Sequence, residues 1–124
     1  MSSFLSLSVI LSTLLGLVHV YILVLEMFLW TTPRGRRAFK LSADFAEKSK
    51  PLAANMGLYN GFLAAGLFWG VAHPDTDVGA QIRVFFLACI IVAGLFGAAT
   101  SSKRILYVQA VPGIITLAAT LFQI

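Results

Sequence analysis

The sequence predicts an all-α membrane protein: one antiparallel bundle of four transmembrane helices over residues 1–124, with both termini on the non-cytoplasmic side. Three observations predict it. The 124 residues are 59% hydrophobic and only 11% charged, with a mean hydropathy of +0.90. Long apolar runs are separated by three polar breaks. Eight of the nine Lys and Arg residues fall in the first and third of those breaks.

A soluble domain is usually about 45–50% apolar and about 25% charged. A soluble fold of this length could not hide the excess apolar surface, whereas lipid serves as its solvent. A helical span needs roughly 20 residues, so four spans and their loops use the whole chain as a single domain. The opening Met-Ser-Ser-Phe-Leu has no basic region of the kind that precedes a secretory signal core, so the first apolar run reads as a retained span.

That first span runs from about Phe4 to Trp30, with Trp30 as an interfacial anchor. Pro33 then stops the helix or starts a new one with Thr32 as its N-cap. Residues 31–50 form the longest polar segment, with Arg34, Arg36, Arg37, Lys40, Lys48 and Lys50 against Asp44 and Glu47. Within it, Ser42–Lys48 reads as a short surface helix capped by Ser42, with Phe39, Leu41 and Phe45 facing the membrane. The second span runs from about Pro51 to Ala72, capped at Ser49 or Lys50. The breaker-rich run from His73 to Gly79 is a turn, and Asp75 and Asp77 read as solvated turn residues with Arg83 as their partner. The third span covers about residues 80–99 and the fourth about residues 105–124, with a bend expected at Pro112.

The charge distribution gives orientation. Positive residues favour the cytoplasmic side of short loops, which places the first and third loops inside. It also accounts for the net charge of +4 and the pI of about 9.7 without nucleic acid, and no nucleic-acid motif is present. Small residues recur at packing spacing in the second span (Gly57, Gly61, Ala65; Gly66, Gly70) and the third (Ala93, Gly94, Gly97, Ala98), which lets helix backbones approach closely. Packing within the chain is the main reading of these ridges, and a homo-oligomer face is the other. The lone Cys89 reads as a small core residue.

Polar residues inside apolar spans are the functional signal. His19 and Glu26 are seven apart on the first span and share a face, about 10 Å apart along the axis. Asn55, Tyr59 and Asn60 enter on the second span, and Gln109 on the fourth. The expected site is a buried polar pocket in the cytoplasmic half. Glu26 and His19 are its acid–base groups, and Asn55, Tyr59, Asn60, Gln109, Tyr21 and Trp30 hold a small apolar or amphipathic ligand. Interhelical hydrogen bonding is the alternative role for Asn60 and Gln109, and an ion pair with Arg34, Arg36 or Arg37 the alternative for Glu26. His19 and Glu26 supply too few ligands for a metal, and no cofactor motif is present.

The segment His19-Val-Tyr-Ile-Leu-Val-Leu-Glu26-Met-Phe-Leu-Trp30-Thr-Thr-Pro-Arg-Gly-Arg36 resembles the opening of a family of small bacterial membrane proteins, domain of unknown function 1304. Leu52-Ala-Ala-Asn55-Met-Gly-Leu-Tyr-Asn60-Gly-Phe-Leu-Ala-Ala-Gly66 is similar to that family's second signature, although Met56 stands where the family usually has Gln. The resemblance implies four spans in a bacterial inner membrane and no established activity. A looser similarity to DoxX-like and sterol-isomerase-like bundles implies an isoprenoid, quinone or lipid ligand. Two other functions stay open: a small oligomeric transporter or channel, and an accessory subunit of a membrane complex.

Overall fold

A computed structural model describes residues 6–124, and all regular structure among them is helical. The elements are α1 (Leu7–Met27), α2 (Pro33–Phe39), α3 (Ala43–Ala72), α4 (Thr76–Thr100), a wide π-type turn (Leu106–Ala110) and α5 (Val111–Leu121). The expected start of the first span at Phe4 lies outside the described residues. The chain forms two compact units: Leu17–Ala64, and Met1–Gly16 with Ala65–Ile124.

Two helices, α1 and α4, are long and apolar enough to cross a membrane, each with a mean hydropathy of 2.3 over its most apolar stretch. The helix from Leu106 to Leu121 is apolar but shorter. Although α3 is 30 residues long, Asn55, Tyr59 and Asn60 dilute its apolar run, and it does not join that pair.

In the Leu17–Ala64 unit, α1 ends at Met27, three residues before the expected Trp30. The cause is local. Thr32 precedes a proline, which disfavours helical backbone, and sits extended at φ −77, ψ 162. Its hydroxyl accepts from the Gly35 N–H at 3.3 Å, capping α2, and donates to the Leu29 carbonyl at 2.6 Å. Pro33 therefore starts a helix, as one of the two sequence readings had it.

The surface helix expected over Ser42–Lys48 and the span expected from Pro51 are one helix. Ser42 does cap it, accepting from the Phe45 N–H at 3.2 Å, but α3 continues through Pro51 without a break. An interior proline removes one backbone bond and costs about 3 kcal/mol. Packing on either side of it offsets that cost. Ala46 and Ala53 are fully or almost fully buried against Trp30, with Phe39 and Leu41 packed on the same cluster. Ser49, expected as a cap, instead donates to the Phe45 carbonyl at 2.6 Å and accepts from the Trp30 indole at 3.0 Å. Trp30 is thus a buried core residue, 7% exposed, rather than an interfacial anchor. Phe39 and Leu41 turn inward with it, and only Phe45 of the expected membrane-facing three is exposed.

In the other unit, α4 packs along the π-type turn and α5. Its core includes Leu67, Leu87, Ile90 and Ala110, none with exposed surface. Asp75 is the N-cap of α4, accepting from the Asp77 and Val78 N–H groups at 3.0 and 3.1 Å. A Cβ at Gly94 would lie 2.6 Å from the Ala110 backbone nitrogen, so the small residue permits the closest approach of α4 to the π-type turn. That turn immediately precedes Val111 and Pro112, so the backbone departs from α geometry just before the proline, where ring and missing N–H disturb the α pattern.

Candidate functional site

The Leu17–Ala64 unit buries two ionisable side chains of α1. Glu26 is 4% exposed and His19 has no exposed surface. Each is a buried polar group and so needs a hydrogen-bond partner.

Glu26 finds one on α3. The Asn60 amide donates to Glu26 Oε1 at 2.6 Å, and its second hydrogen reaches the Met56 carbonyl at 3.2 Å. Glycines make this short bond geometrically attainable. A Cβ at Gly57 would stand 2.5 Å from Met27 Cγ, 3.1 Å from Glu26 Cβ and 3.2 Å from the Leu23 carbonyl oxygen. A Cβ at Gly61 would meet Leu23 Cδ1 at 2.7 Å. The two helices therefore touch along the Gly57–Gly61 ridge, and Asn60 stands beside that ridge facing Glu26.

Among the described residues the Glu26 carboxylate has no ion pair, and the salt bridge present joins exposed Lys48 and Asp44 at 3.1 Å. Arg34, one of the three arginines proposed as its partner, stands instead over the Tyr21 ring at 5.8 Å.

The remaining sequence-predicted site residues divide as follows. Asn55 is exposed, so the amide at that position does not serve Glu26; Asn60 does. Tyr59 is 58% exposed and packs edge-on against Phe62 at 5.6 Å. Tyr21 is 46% exposed. Trp30 belongs to the cluster around Ala46 and Ala53. Gln109 lies in the π-type turn of the other unit and is half-buried. The face assignment is what separates the two asparagines. Five residues along a helix turn the side chain by about 140° relative to the first, so both cannot face α1.

Sequence reasoning missed a second polar centre. In the other unit, Arg83 of α4 is 2% exposed and Ser12 of α1 has no exposed surface, with Arg83 Nη1 donating to Ser12 Oγ at 3.5 Å. Arg83 was expected at the outer turn beside Asp75 and Asp77; it is buried, and the Asp75 carboxylate caps α4 instead. The signal was present, because an arginine inside a 25-residue apolar helix stands out by composition alone. The Thr116 and Thr120 hydroxyls of α5, also buried, donate to carbonyls of their own helix, at Pro112 and Thr116, each at 2.8 Å. Ser12 gives no such signal, since serines in apolar helices commonly satisfy themselves in that way.

Among the described residues the regular structure is all helical, two helices are long and apolar enough to cross a membrane, and each unit buries an ionisable side chain, Glu26 in one and Arg83 in the other. The chain belongs to the family described as Protein of unknown function (DUF1304), whose model matches residues 13–121. It is similar to Uncharacterized protein YpaA of Lactococcus lactis subsp. lactis (strain IL1403), with 31% identity over 118 residues, which covers 94% of this chain and 98% of that protein. No solved structure matches the chain.

Proposed function

We propose that this protein is a multi-pass protein of the bacterial inner membrane that binds the polar head of a small apolar or amphipathic molecule at Glu26 and Asn60. The observation that carries this reading is the buried Glu26 carboxylate, held among the described residues by one short amide bond and by no cation. Removing an ionised carboxylate from water is costly unless it is paired. Intramembrane acids of this kind mark ligand or proton sites by default.

A basic or hydroxyl-bearing head would complete the hydrogen bonding of the carboxylate, and Asn60 fixes its orientation. His19, on the same face of α1, supplies a second titratable group for proton transfer. An isoprenoid, quinone or lipid would match the apolar surroundings. The topology that goes with this reading has four spans and both termini outside, supported by the eight basic residues of the first and third polar segments.

The test has two arms. The protein purified in a neutral detergent is extracted and its co-purifying small molecules are identified by mass spectrometry, for wild type, Glu26→Gln and Asn60→Ala. Loss of one apolar species from both variants supports the site, and identical extracts with identical stability refute it. Reporter fusions after residues 40, 75, 102 and 124 test the topology; a cytoplasmic signal at residue 75 or 124 would overturn the orientation.

A further inference from the structure

Helix α2 turns one face inward and leaves two arginines on the other. Gly35 is buried, and a Cβ there would overlap the Leu29 carbonyl oxygen and stand 2.7 Å from its carbonyl carbon. Phe39, four residues on and so on the same face, packs against Trp30 with ring centroids 4.8 Å apart. At about 100° per residue, Arg37 projects almost opposite that face, and Arg34 lies about 60° from Arg37. Both are exposed. Arg36, on the flank, is spent at the end of the helix, where its Nε donates to the Leu41 carbonyl at 3.3 Å.

The two exposed arginines lack a counter-charge. Among the described residues neither has a hydrogen bond or an ion pair. Their unit holds three acidic residues. Glu26 is buried with Asn60, Asp44 pairs with Lys48, and Glu47 forms no ion pair. Like charges one turn apart on a helix repel. An anion set between them turns that repulsion into two attractions.

The head of Arg34 has a fixed place. Its guanidinium carbon lies 5.8 Å from the centre of the Tyr21 ring on α1. A ring over one face of a guanidinium leaves the in-plane N–H edge free, and that edge meets an oxyanion through two parallel bonds. Tyr21 stands six residues before the end of α1, about 9 Å along the axis, so the head lies against the flank of that helix. The 21 residues of α1 rise about 32 Å, close to the roughly 30 Å of hydrocarbon in a bilayer. A guanidinium beside its last two turns therefore sits at the inner edge of the headgroup layer, where lipid phosphates are the anions within reach.

We infer that Arg34 and Arg37 form a clamp on the exposed face of α2 for the phosphate of an anionic phospholipid, with Tyr21 positioning the Arg34 head. The lipid belongs to the leaflet at the Met27 end of α1, and its chains run down the outer flank of that helix. This inference rests on the membrane reading of α1 and not on the Glu26 site.

The full-length protein in dodecyl maltoside tests it, with lipid binding titrated by native mass spectrometry. The probes are dioleoyl phosphatidylglycerol, dioleoyl phosphatidylcholine and inorganic phosphate. Wild type is expected to prefer phosphatidylglycerol to phosphatidylcholine, whose choline already balances its phosphate. Arg34→Gln combined with Arg37→Gln should weaken phosphatidylglycerol about tenfold. Arg34→Lys with Arg37→Lys, which keeps the charge and loses the fork, should fall between that variant and wild type. Lys103→Gln with Arg104→Gln removes the same charge elsewhere and should stay within about twofold of wild type. Tyr21→Phe keeps the ring and the affinity, whereas Tyr21→Leu weakens binding a few-fold. Both arginines are exposed, so their variants should melt as wild type does. Glu26→Gln should bind phosphatidylglycerol as wild type does, so failure here and failure of the Glu26 site are separable. Equal affinity of wild type and the double glutamine variant at positions 34 and 37 would overturn the clamp, as would an equal loss from the variant at positions 103 and 104. Inorganic phosphate bound as tightly as the lipid would overturn the lipid assignment.

Discussion

Truncating Asn60 should damage this protein more than truncating the glutamate it serves. Asn60→Ala leaves a carboxylate that is 4% exposed with no hydrogen-bond donor. Stranding a buried group costs about 1–3 kcal/mol, and more when it is charged. Glu26→Ala leaves Asn60 better provided for, since its amide keeps the Met56 carbonyl at 3.2 Å and the residue is only half-buried. The polar part of that cost should therefore be below about 1 kcal/mol. The remainder is the small cavity at Glu26. Glu26→Leu, which fills that space, should be neutral or stabilising, as buried charges replaced by apolar residues often are. The pair's coupling energy follows from a double-mutant cycle with both alanines. A hydrogen bond to an ionised group contributes about 1.5–3 kcal/mol, whereas polar contacts between membrane helices average about 0.6 kcal/mol. The 2.6 Å separation argues for the larger figure. Reversible unfolding of the four proteins in mixed micelles measures it. A coupling at or below about 0.6 kcal/mol, or an Asn60→Ala no less stable than Glu26→Ala, would refute the reasoning and reduce the pair to ordinary interhelical contact.

Three further outcomes are expected. Gly57→Ala should lose about 1–3 kcal/mol by overpacking against Met27, Glu26 and the rigid Leu23 backbone; Gly61→Ala, which meets only the mobile end of Leu23, should lose less, and paired thermal melts show the order. Trp30→Phe keeps the ring packed near Phe39, now 4.8 Å away between centroids, but loses the indole bond to Ser49; unfolding curves should place it about 0.5–1.5 kcal/mol below wild type. Asp75→Ala removes the cap of α4 and should cost about 0.5–2 kcal/mol, while Asp75→Asn keeps the cap and most of the stability; equal melts for the two would deny the capping role.

Much of the local structure was legible before any coordinates. Thr32 and Ser42 cap the helices that their sequence context announces, because a cap needs only a side chain and the N–H three residues on. The turn between α3 and α4 likewise follows from its own residues. Pro51 was misleading for the opposite reason. Local chemistry ends a helix there, and only the packing of Ala46, Ala53 and Ser49 around Trp30 carries the backbone through. The site was legible in part. Glu26 and His19 stood out as ionisable groups in an apolar run. The choice of Asn60 over Asn55 was within reach, because Asn60 stands beside the Gly57–Gly61 ridge that marks close approach of another helix.

What the sequence by itself determined was the helical class, the family, the approximate elements and the presence of costly charges in apolar helices. All of these follow from composition, short-range hydrogen bonding and residue spacing. Only the tertiary structure decided which partner each charge meets. Glu26 takes the amide of Asn60 and not the guanidinium of a nearby arginine, and Arg83 turns to Ser12 and not to the aspartates about two turns before it. The physical reason is that partner choice depends on which faces of two helices touch and how closely. Glycines far along the chain set that approach, and no local pattern encodes which helix they will admit.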